Sequence, residues 1–409
     1  MNDGPRQPVV VCGAGAAGMA AAIAAARCGA EVRLIEALPA IGGTVAGALI
    51  HTLGGLYDSR GEVLNGGLPR ELIDRLSRGD SSVRPRRMGR VWVLSVCPNV
   101  YRRVVEEWIA EEPRITLHTS TTVSKIRCER GNERSPAFSK KPGFSSSATH
   151  EMNRVIELEA TEPAGTLRLG PHAVIDTTGT ADVVRLMDPT LVIDDPQRSA
   201  GGLIFRMRGV PPGALEFPRG LAVVRSLRGA AADGLLPATC RHAWIDTGIH
   251  ADEVFVKLMV PLPAVPHASD AADAHDVQSQ VVAFLRTLSE FADAEVTQTG
   301  RLGVRDGGRV RGEYYLTAAD VRAGRRFADA AGRGSWPIEY WDPVEGVSLE
   351  HLPDGRDYDI PLRSLKLAGL GNVWAAGKCL SADRLAHASA RVAGTCWAMG
   401  EAAGRAAAS

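Results

Sequence analysis

Three glycines near the start of the chain have the spacing of a nucleotide-phosphate site. Gly13, Gly15 and Gly18 form the pattern G-x-G-x-x-G. Gly13 permits a tight turn, Gly15 lets the backbone approach a pyrophosphate, and Gly18 allows a helix to pack closely on a strand. Glu36 follows after a second apolar run, where an acid accepts hydrogen bonds from ribose hydroxyls. These residue types and spacings predict a dinucleotide site.

The elements that must position these residues are a strand, a helix and a second strand. The run VVVCGAGAAGMAAAIAAARCGAEVRLIE begins with an apolar strand and continues into an alanine-rich helix that starts at about Ala16. The free N–H groups and the positive dipole end of that helix would face the phosphates. A plain core helix would explain the alanines from Ala20 to Ala26, but it does not explain three spaced glycines followed by an acid.

Composition restricts the class of protein. The 409 residues allow a large core and two domains, and 47 basic residues balance 47 acidic ones, which indicates neither a nucleic-acid partner nor an anionic membrane. We find no apolar run long enough for a membrane span and no secretory signal. Seven scattered cysteines, never spaced C-x-x-C, predict a reducing compartment and no disulfide framework or metal site. We expect a cytoplasmic protein, and homo-oligomerisation stays open.

The rest of the chain predicts an α/β fold. Strands and helices alternate at both ends of the chain. In the middle they no longer alternate regularly, which predicts a separate mixed sheet there. We therefore predict a doubly wound, Rossmann-like domain with an inserted α+β substrate domain. The first comprises residues 1–50, 98–190 and 360–409, and the second comprises 51–97 and 191–359. Residues 129–150 are polar, serine-rich and without periodicity, and we expect an exposed, disordered hairpin insertion there, with residues 154–160 returning as its partner strand.

Several later motifs resemble one family of flavoproteins. The pair Gly42-Gly43 is similar to the second glycine signature of two-domain flavoproteins of the glutathione-reductase type, and IDTTGTAD at residues 175–182 is similar to their DATGDGD element. The segment AGKCLSADRLAHASARVAGTCWAMGEAAGRAA near the C-terminus resembles the corresponding motif of the FAD-dependent oxidoreductase family. GVRDGGRVRGEY and YDIPLRSL resemble two further segments of that family. Lys378 and Gly308 depart from its pattern, which has arginine at both positions.

The resemblance implies FAD as the cofactor. In such a protein the last helix starts beside the flavin ring, so that its N–H groups stabilise the charge that accumulates on reduction. Packing of a small-residue helix on the first strand–helix–strand unit would explain the same residues, and the two explanations are compatible. The residues that we expect to contact FAD are Gly13, Gly15, Ala16, Ala17, Gly18, Glu36, Ala37, Gly42, Gly43, Thr44, Val123, Thr178, Gly179, Gly377, Gly394, Thr395 and Cys396.

Four residues are candidates for catalysis. By analogy with the family, His51 lies in a loop that runs along the flavin, where it would accept a substrate proton or place a charge near the ring; a loop histidine bonded to backbone is the alternative. His387 either acts near the flavin or holds its loop by a hydrogen bond. Arg391 would balance a reduced flavin, a substrate carboxylate or a phosphate. Arg305 would bind a carboxylate or pair with an acid between domains. Cys396 has no cysteine nearby in sequence, and we expect it to pack.

The resemblance implies an oxidoreductase acting on a small molecule. The reaction would remove a hydride from an amine or alcohol substrate, or desaturate a C–C bond, with flavin N5 as the acceptor and oxygen or another oxidant restoring FAD. A monooxygenase or a reductase supplied by an external electron donor is a second interpretation. A non-catalytic protein that keeps FAD or NAD as a structural or sensory ligand is a third, from a different class.

Overall fold

The computed structural model describes residues 7–134, 151–196, 198–262, 268–353 and 355–409. Its α-helices are α1 (Ala16–Arg27), α2 (Gly43–Gly47), α3 (Leu68–Gly79), α4 (Pro98–Glu111), α5 (Asp182–Met187), α6 (Arg219–Ala232), α7 (Ala268–Leu285), α8 (Ala318–Ala323), α9 (Arg384–Ala390) and α10 (Ala393–Ala407). Its strands are β1 (Val9–Cys12), β2 (Val32–Ile35), β3 (Thr52–Leu53), β4 (Arg84–Met88), β5 (Val91–Ser95), β6 (Ile115–His118), β7 (Thr122–Arg134), β8 (Glu151–Glu162), β9 (Gly165–Leu169), β10 (Ala173–Asp176), β11 (Val192–Ile193), β12 (Gly201–Arg208), β13 (Trp244–Thr247), β14 (Glu253–Val260), β15 (Glu295–Thr299), β16 (Arg309–Val310), β17 (Ala330–Gly334), β18 (Ile338–Asp342), β19 (Gly346–Glu350), β20 (Tyr358–Pro361) and β21 (Val373–Ala375).

A five-stranded parallel sheet forms the centre of the structure. Its order is β21-β10-β1-β2-β6, and every neighbouring pair is parallel. The central strand β1 is apolar throughout, as expected for a strand that is covered on both faces, and its Val9, Val10 and Val11 are wholly buried. The expectation of a mixed α/β fold with a parallel sheet is confirmed.

Different layers cover the two faces of this sheet. On one face Val9 and Val11 pack in the same core as α1 and α10. On the other face Val10 and Cys12 pack against residues of β7 and β8, which form an antiparallel sheet with β9. The doubly wound arrangement in its full sense, and the division into two discontinuous domains, stay predictions.

A second sheet is antiparallel, with the order β13-β14-β12-β15. Side chains on β14 alternate between its faces. Val254, Val256 and Leu258 join a core that includes α6 and α7. Phe255, Lys257 and Met259 therefore lie on the opposite face of the strand.

One expectation about the polar segment at residues 129–150 is wrong in part. Residues 129–134 belong to β7, which pairs with β8 as far as Arg134–Glu151. Glu129 and Arg130 pair with Arg154 and Asn153, and Arg134 pairs with Glu151, with a register shift between Arg130 and Arg134. The rest of the predicted insertion, residues 135–150, lies outside the described residues. Within the described ranges, no helix is both long and apolar enough to cross a bilayer.

Candidate functional site

The loops that carry most of the predicted cofactor residues meet at one edge of the parallel sheet. Because parallel strands have their carboxyl ends at the same edge, the segments that follow β1, β2, β10 and β21 lie together there, which is where open α/β sheets bind ligands. These segments supply Gly13, Gly15, Glu36, Ala37, Thr178, Gly179 and Gly377.

The turn after β1 leaves the start of α1 open. Gly13 has a φ of 102°, and a Cβ there would lie 2.6 Å from the Thr177 carbonyl oxygen. The Thr177 hydroxyl donates to the Gly13 carbonyl at 2.7 Å and fixes the turn. Gly15 precedes the first residue of α1 and offers no side chain to cap the helix. A Cβ at Gly15 would meet only the Gly43 Cα, at 3.9 Å, so there is space for a phosphate beside Ala16 and Ala17.

The second glycine pair packs directly on the first turn. The Gly42 N–H donates to the Ala14 carbonyl at 3.0 Å. A Cβ on Gly43 would lie 2.6 Å from the Gly15 Cα, so only glycine allows this approach. Thr44 follows in α2. The first and second glycine signatures therefore form one continuous surface, although the strand β2 separates them in sequence.

Glu36 is held in place by backbone donors. Its Oε2 accepts the Ala14 N–H at 2.7 Å and its Oε1 accepts the Leu38 N–H at 3.0 Å, and the residue is buried. Each carboxylate oxygen keeps a second lone pair for a ribose hydroxyl. Because Ala14 lies in the glycine turn, Glu36 is hydrogen-bonded to the predicted pyrophosphate loop, and its contact with ribose stays a prediction.

We expect Glu36→Ala to weaken FAD binding by about tenfold to a hundredfold, because a hydrogen bond to a charged group contributes about 1.5–3 kcal/mol. The measurement is the Kd of FAD for the apoprotein, by quenching of flavin fluorescence. Glu31→Ala is the matched control, since Glu31 is a surface acid paired with Arg114. Equal affinity of the two variants would contradict the ribose role of Glu36.

The last helix lies beside the first and points the same way. A Cβ on Gly400 would lie 2.1 Å from the Ala17 carbonyl oxygen, and one on Gly404 would lie 2.2 Å from that of Ala21. This register makes the helices parallel. Since α1 begins one residue before Ala17 and α10 begins seven residues before Gly400, α10 extends beyond the start of α1 by six residues, or about 9 Å.

The start of α10 closes the far end of this surface. Gly377 fits between the helices, with its Cβ position 2.8 Å from the Ala17 Cβ and 3.6 Å from the Cys396 Sγ. The Gly394 N–H donates to the Gly54 carbonyl at 2.9 Å, and the buried Thr395 Oγ1 has no partner among the described residues. Burial raises the pKa of Cys396 to about 12, which fits a packing role.

Three other predicted cofactor residues have local partners. The Thr178 hydroxyl donates to Asp176 Oδ1 at 2.8 Å and so braces the loop after β10. Gly179 has a φ of 80°, and its N–H donates to the Cys379 Sγ at 3.2 Å. Val123 is buried in the core beneath the sheet. For these residues a contact with the cofactor stays a prediction.

His51 has an oriented imidazole. Its Nε2 lies 3.2 Å from Asp246 Oδ2, and its ring stacks on Phe255 with centroids 3.9 Å apart. Arg86 holds the same carboxylate through both oxygens. Burial alone would raise the pKa of Asp246, but bonds from His51 and Arg86 lower it. An ionised Asp246 keeps the proton of a neutral His51 on Nε2, so the acceptor is Nδ1, a buried atom with no partner in the described ranges.

His387 lies deeper than His51. It is fully buried, its Nε2 contacts the Lys378 carbonyl at 3.0 Å, and its Nδ1 faces Asp306 at 3.7 Å. Burial lowers the pKa of His387, so the ring is neutral at pH 7 and Nε2–H donates to Lys378. This bond holds the loop beside Gly377, which is the structural alternative that the sequence left open.

Arg305 and Arg391 both contact residues of the same strand. The Arg391 Nη2 donates to the Glu339 carbonyl at 3.1 Å, and the Arg305 guanidinium lies 4.3 Å from the centroid of Trp341. Both partners belong to β18. Arg309, which flanks the same loop as Arg305, pairs with Asp195 at 2.6 Å and is buried.

Sequence reasoning missed several residues around these candidates, namely Arg86, Asp246, Lys257, Trp336, Glu339 and Trp341. One signal was available: Lys257 is the only charged residue within the apolar run VFVKLMV of β14. The others have no local signature, because they lie on separate elements that only the fold brings together.

A sequence profile supplies the family. The profile described as FAD dependent oxidoreductase matches residues 8–409, which is nearly the whole chain. The chain belongs to this family. Its cofactor is FAD, and it is an FAD-dependent oxidoreductase. No match was found among curated proteins.

Solved structures resemble the chain at low identity. A geranylgeranyl bacteriochlorophyll reductase-like protein from Thermoplasma acidophilum is 12% identical, with 98% of this chain and 77% of that one covered and a TM-score of 0.45. A p-nitrophenol 4-monooxygenase from Pseudomonas putida is 12% identical, with 75% of this chain and 70% of that one covered and a TM-score of 0.41. An anhydrotetracycline hydroxylase from Streptomyces rimosus is 15% identical, with 76% of this chain and 54% of that one covered and a TM-score of 0.44. The chain therefore spans about half the length of that protein. None is close enough to transfer a substrate.

The residues present fit FAD in three respects. The open space beside Gly15 would accommodate a pyrophosphate, Glu36 would offer acceptors to ribose hydroxyls, and the buried Thr395 hydroxyl, which has no partner among the described residues, lies where α10 begins. With the two helix starts offset by about 9 Å, the prediction that the phosphates lie at α1 and the flavin ring at α10 uses separate positions.

Proposed function

We propose that this FAD-dependent oxidoreductase is a dehydrogenase or oxidase that takes a hydride from a carbon bearing an amine or hydroxyl group. The observation that carries the proposal is the pairing of His51 with Asp246. An imidazole oriented by a carboxylate, with its other nitrogen free, is a proton acceptor for a substrate N–H or O–H. Bound FAD supplies the two-electron acceptor for the C–H bond.

The position of His51 supports this assignment. His51 stacks on Phe255, which lies on the face of β14 that also carries Lys257. Gly54, three residues after His51, accepts the hydrogen bond from Gly394 at the start of α10. His51 therefore connects the second sheet to the ring end of the proposed FAD site. Its Nδ1, which lacks a protein partner, would accept the proton that the substrate releases.

An anaerobic screen tests this reaction. Amines, alcohols and amino acids are mixed with the holoenzyme without oxygen, and flavin absorbance is followed; bleaching by a donor supports a dehydrogenase or oxidase. Bleaching only by NADPH or another external reductant would replace the proposal with a monooxygenase or reductase. Flavin that stays oxidised with every donor would favour a binding protein.

We expect His51→Asn to slow flavin reduction by the active donor at least a hundredfold, because a positioned base contributes about 10²–10⁴ in rate. The FAD content is expected to stay at the wild-type value. The rate is measured by anaerobic stopped-flow absorbance. His172→Asn, a change at an exposed histidine, is the control and is expected to keep the wild-type rate. A wild-type rate in His51→Asn would remove His51 from the mechanism.

A further inference from the structure

Three cations converge on β18 without a carboxylate partner. Lys257 Nζ lies 4.1 Å from the centroid of Trp341, and the Arg305 guanidinium lies 4.3 Å from the same centroid. Arg391 donates to the Glu339 carbonyl, and its Nε is buried with no partner among the described residues. In the part of the chain that the structure describes, no carboxylate oxygen lies within 4.0 Å of a nitrogen of these three side chains.

The carboxylate oxygens of the nearest acid, Glu339, are hydrogen-bonded to other donors. Both oxygens of Glu339 accept indole N–H groups at 2.6 Å, one from Trp336 and one from Trp341. Burial alone would raise the pKa of Glu339, but the charges of Lys257 and Arg391 outweigh it and lower the pKa. Glu339 is thus a fixed anion that positions two aromatic rings.

The positive charges of these side chains also destabilise one another. Burial, followed by the charge of Arg305, lowers the pKa of Lys257 to about 7. Burial, followed by the charge of Arg391, lowers the pKa of Arg305 to about 10. Unpaired buried charge is unfavourable, and groups perturbed in this way gather at functional sites. A bound anion would relieve both shifts.

The charge balance defines the ligand. A bound anion would keep Lys257 protonated, and the three cations Lys257, Arg305 and Arg391 would then exceed the two nearby anions, Glu339 and Asp306, by one positive charge. Asp306 is already engaged, because it accepts the Ser199 N–H at 2.8 Å. A net charge of one remains, which matches a carboxylate better than a phosphate dianion. The indole of Trp341 adds an apolar surface for the group attached to it.

The cluster lies next to the proposed ring end of FAD. Trp336 packs against Gly54, where a Cβ would lie 2.5 Å from the indole. Gly54 in turn binds Gly394, and Arg391 is three residues before Gly394. Lys257 follows Phe255 on one face of β14, about 7 Å along the strand, and Phe255 carries the His51 ring.

We infer that the substrate carries a carboxylate group, which Lys257, Arg305 and Arg391 bind beside Trp341. The inference rests on the proposed function, because it takes the face of β14 next to His51 as the substrate site. Substrates of this class are α-amino or α-hydroxy acids and their relatives, whose oxidisable carbon lies close to the carboxylate.

The test compares an anion with its neutral isostere. The holoenzyme is titrated with benzoate and with benzamide, and binding is followed by the difference absorbance of the flavin and by calorimetry. We expect benzoate to bind at least tenfold more tightly than benzamide. Equal affinity would overturn the inference, and so would inorganic phosphate that competes with benzoate at equal affinity, because it would indicate a phosphate site.

Variants assign the effect to the cluster. We expect Lys257→Met, which keeps the aliphatic stem, and Arg305→Met each to weaken benzoate binding at least tenfold and to leave benzamide binding unchanged. Lys125→Met, at an exposed lysine on β7, is the matched control. FAD content and Tm show whether each variant is folded. Wild-type benzoate affinity in both cluster variants would overturn the inference.

Two outcomes distinguish failure of the carboxylate site from failure of the proposed reaction. If benzoate binds as expected but no amine or alcohol donor reduces the flavin, the anion site stands and the proposed reaction fails. If an amino alcohol reduces the flavin as fast as the matching amino acid, the reaction stands and the carboxylate assignment fails.

Discussion

Gly15→Val is expected to yield folded protein without FAD. The backbone at Gly15 is extended, with φ −82° and ψ −171°, which valine adopts without strain. A Cβ there meets no protein atom closer than the Gly43 Cα at 3.9 Å. The side chain would instead occupy the space beside the start of α1, where the pyrophosphate must approach the backbone.

The measurements separate cofactor loss from misfolding. The ratio of flavin to protein absorbance is expected to fall to the baseline, while the far-ultraviolet circular dichroism and the Tm match those of wild-type apoprotein. Gly66→Val is the control, since a Cβ at Gly66 also meets nothing within 4 Å but lies away from the glycine turn. Retention of yellow colour by Gly15→Val would contradict the placement of the phosphate site.

Gly400→Ala is expected to destabilise the whole FAD-binding unit. The added Cβ would lie 2.1 Å from the Ala17 carbonyl oxygen and 2.9 Å from the Ala17 Cα, so α10 must move away from α1. Overpacking of this kind costs about 1–3 kcal/mol, and backbone neighbours give way less readily than side chains. Movement of α10 would also shift its first turn away from the ring position.

Thermal unfolding with and without added FAD measures this effect. We expect Gly400→Ala to lower the Tm by several degrees and to weaken FAD binding, since the two helix starts no longer keep their spacing. Gly229→Ala is the control, because that glycine lies in α6 with open space at the Cβ position and alanine is the better helix former. A wild-type Tm for Gly400→Ala would show that α1 and α10 are not packed in this register.

The glycine turn was predictable because its determinants are local. Gly13, Gly15 and Gly18 fall within one turn and one helix, and Glu36 follows at the end of the next strand. Backbone sterics at such positions restrict the residue type, so the spacing alone indicates the turn. The motif at residues 375–404 likewise marked α10, although only the structure shows that this helix runs parallel to α1.

The partners of the candidate catalytic residues were not predictable in the same way. Asp246 is 195 residues from His51, and nothing near Asp246 in sequence marks it as a partner. Glu339 and Trp341 reach Arg391 and Arg305 only through the packing of β18 on the C-terminal segment. Such contacts depend on long-range packing of sheets, which residue spacing does not encode.

The close fit of Gly400 and Gly404 against Ala17 and Ala21 has a consequence for biosynthesis. Domains form from the N-terminus as the ribosome delivers the chain. Here the first helix emerges early, yet the surface that covers it belongs to α10, which begins 366 residues after α1 ends (Arg27 to Ala393). The small-residue face of the nascent βαβ unit therefore stays uncovered until α10 has been synthesised. A product truncated before α10 would leave this face bare for chaperones to shield.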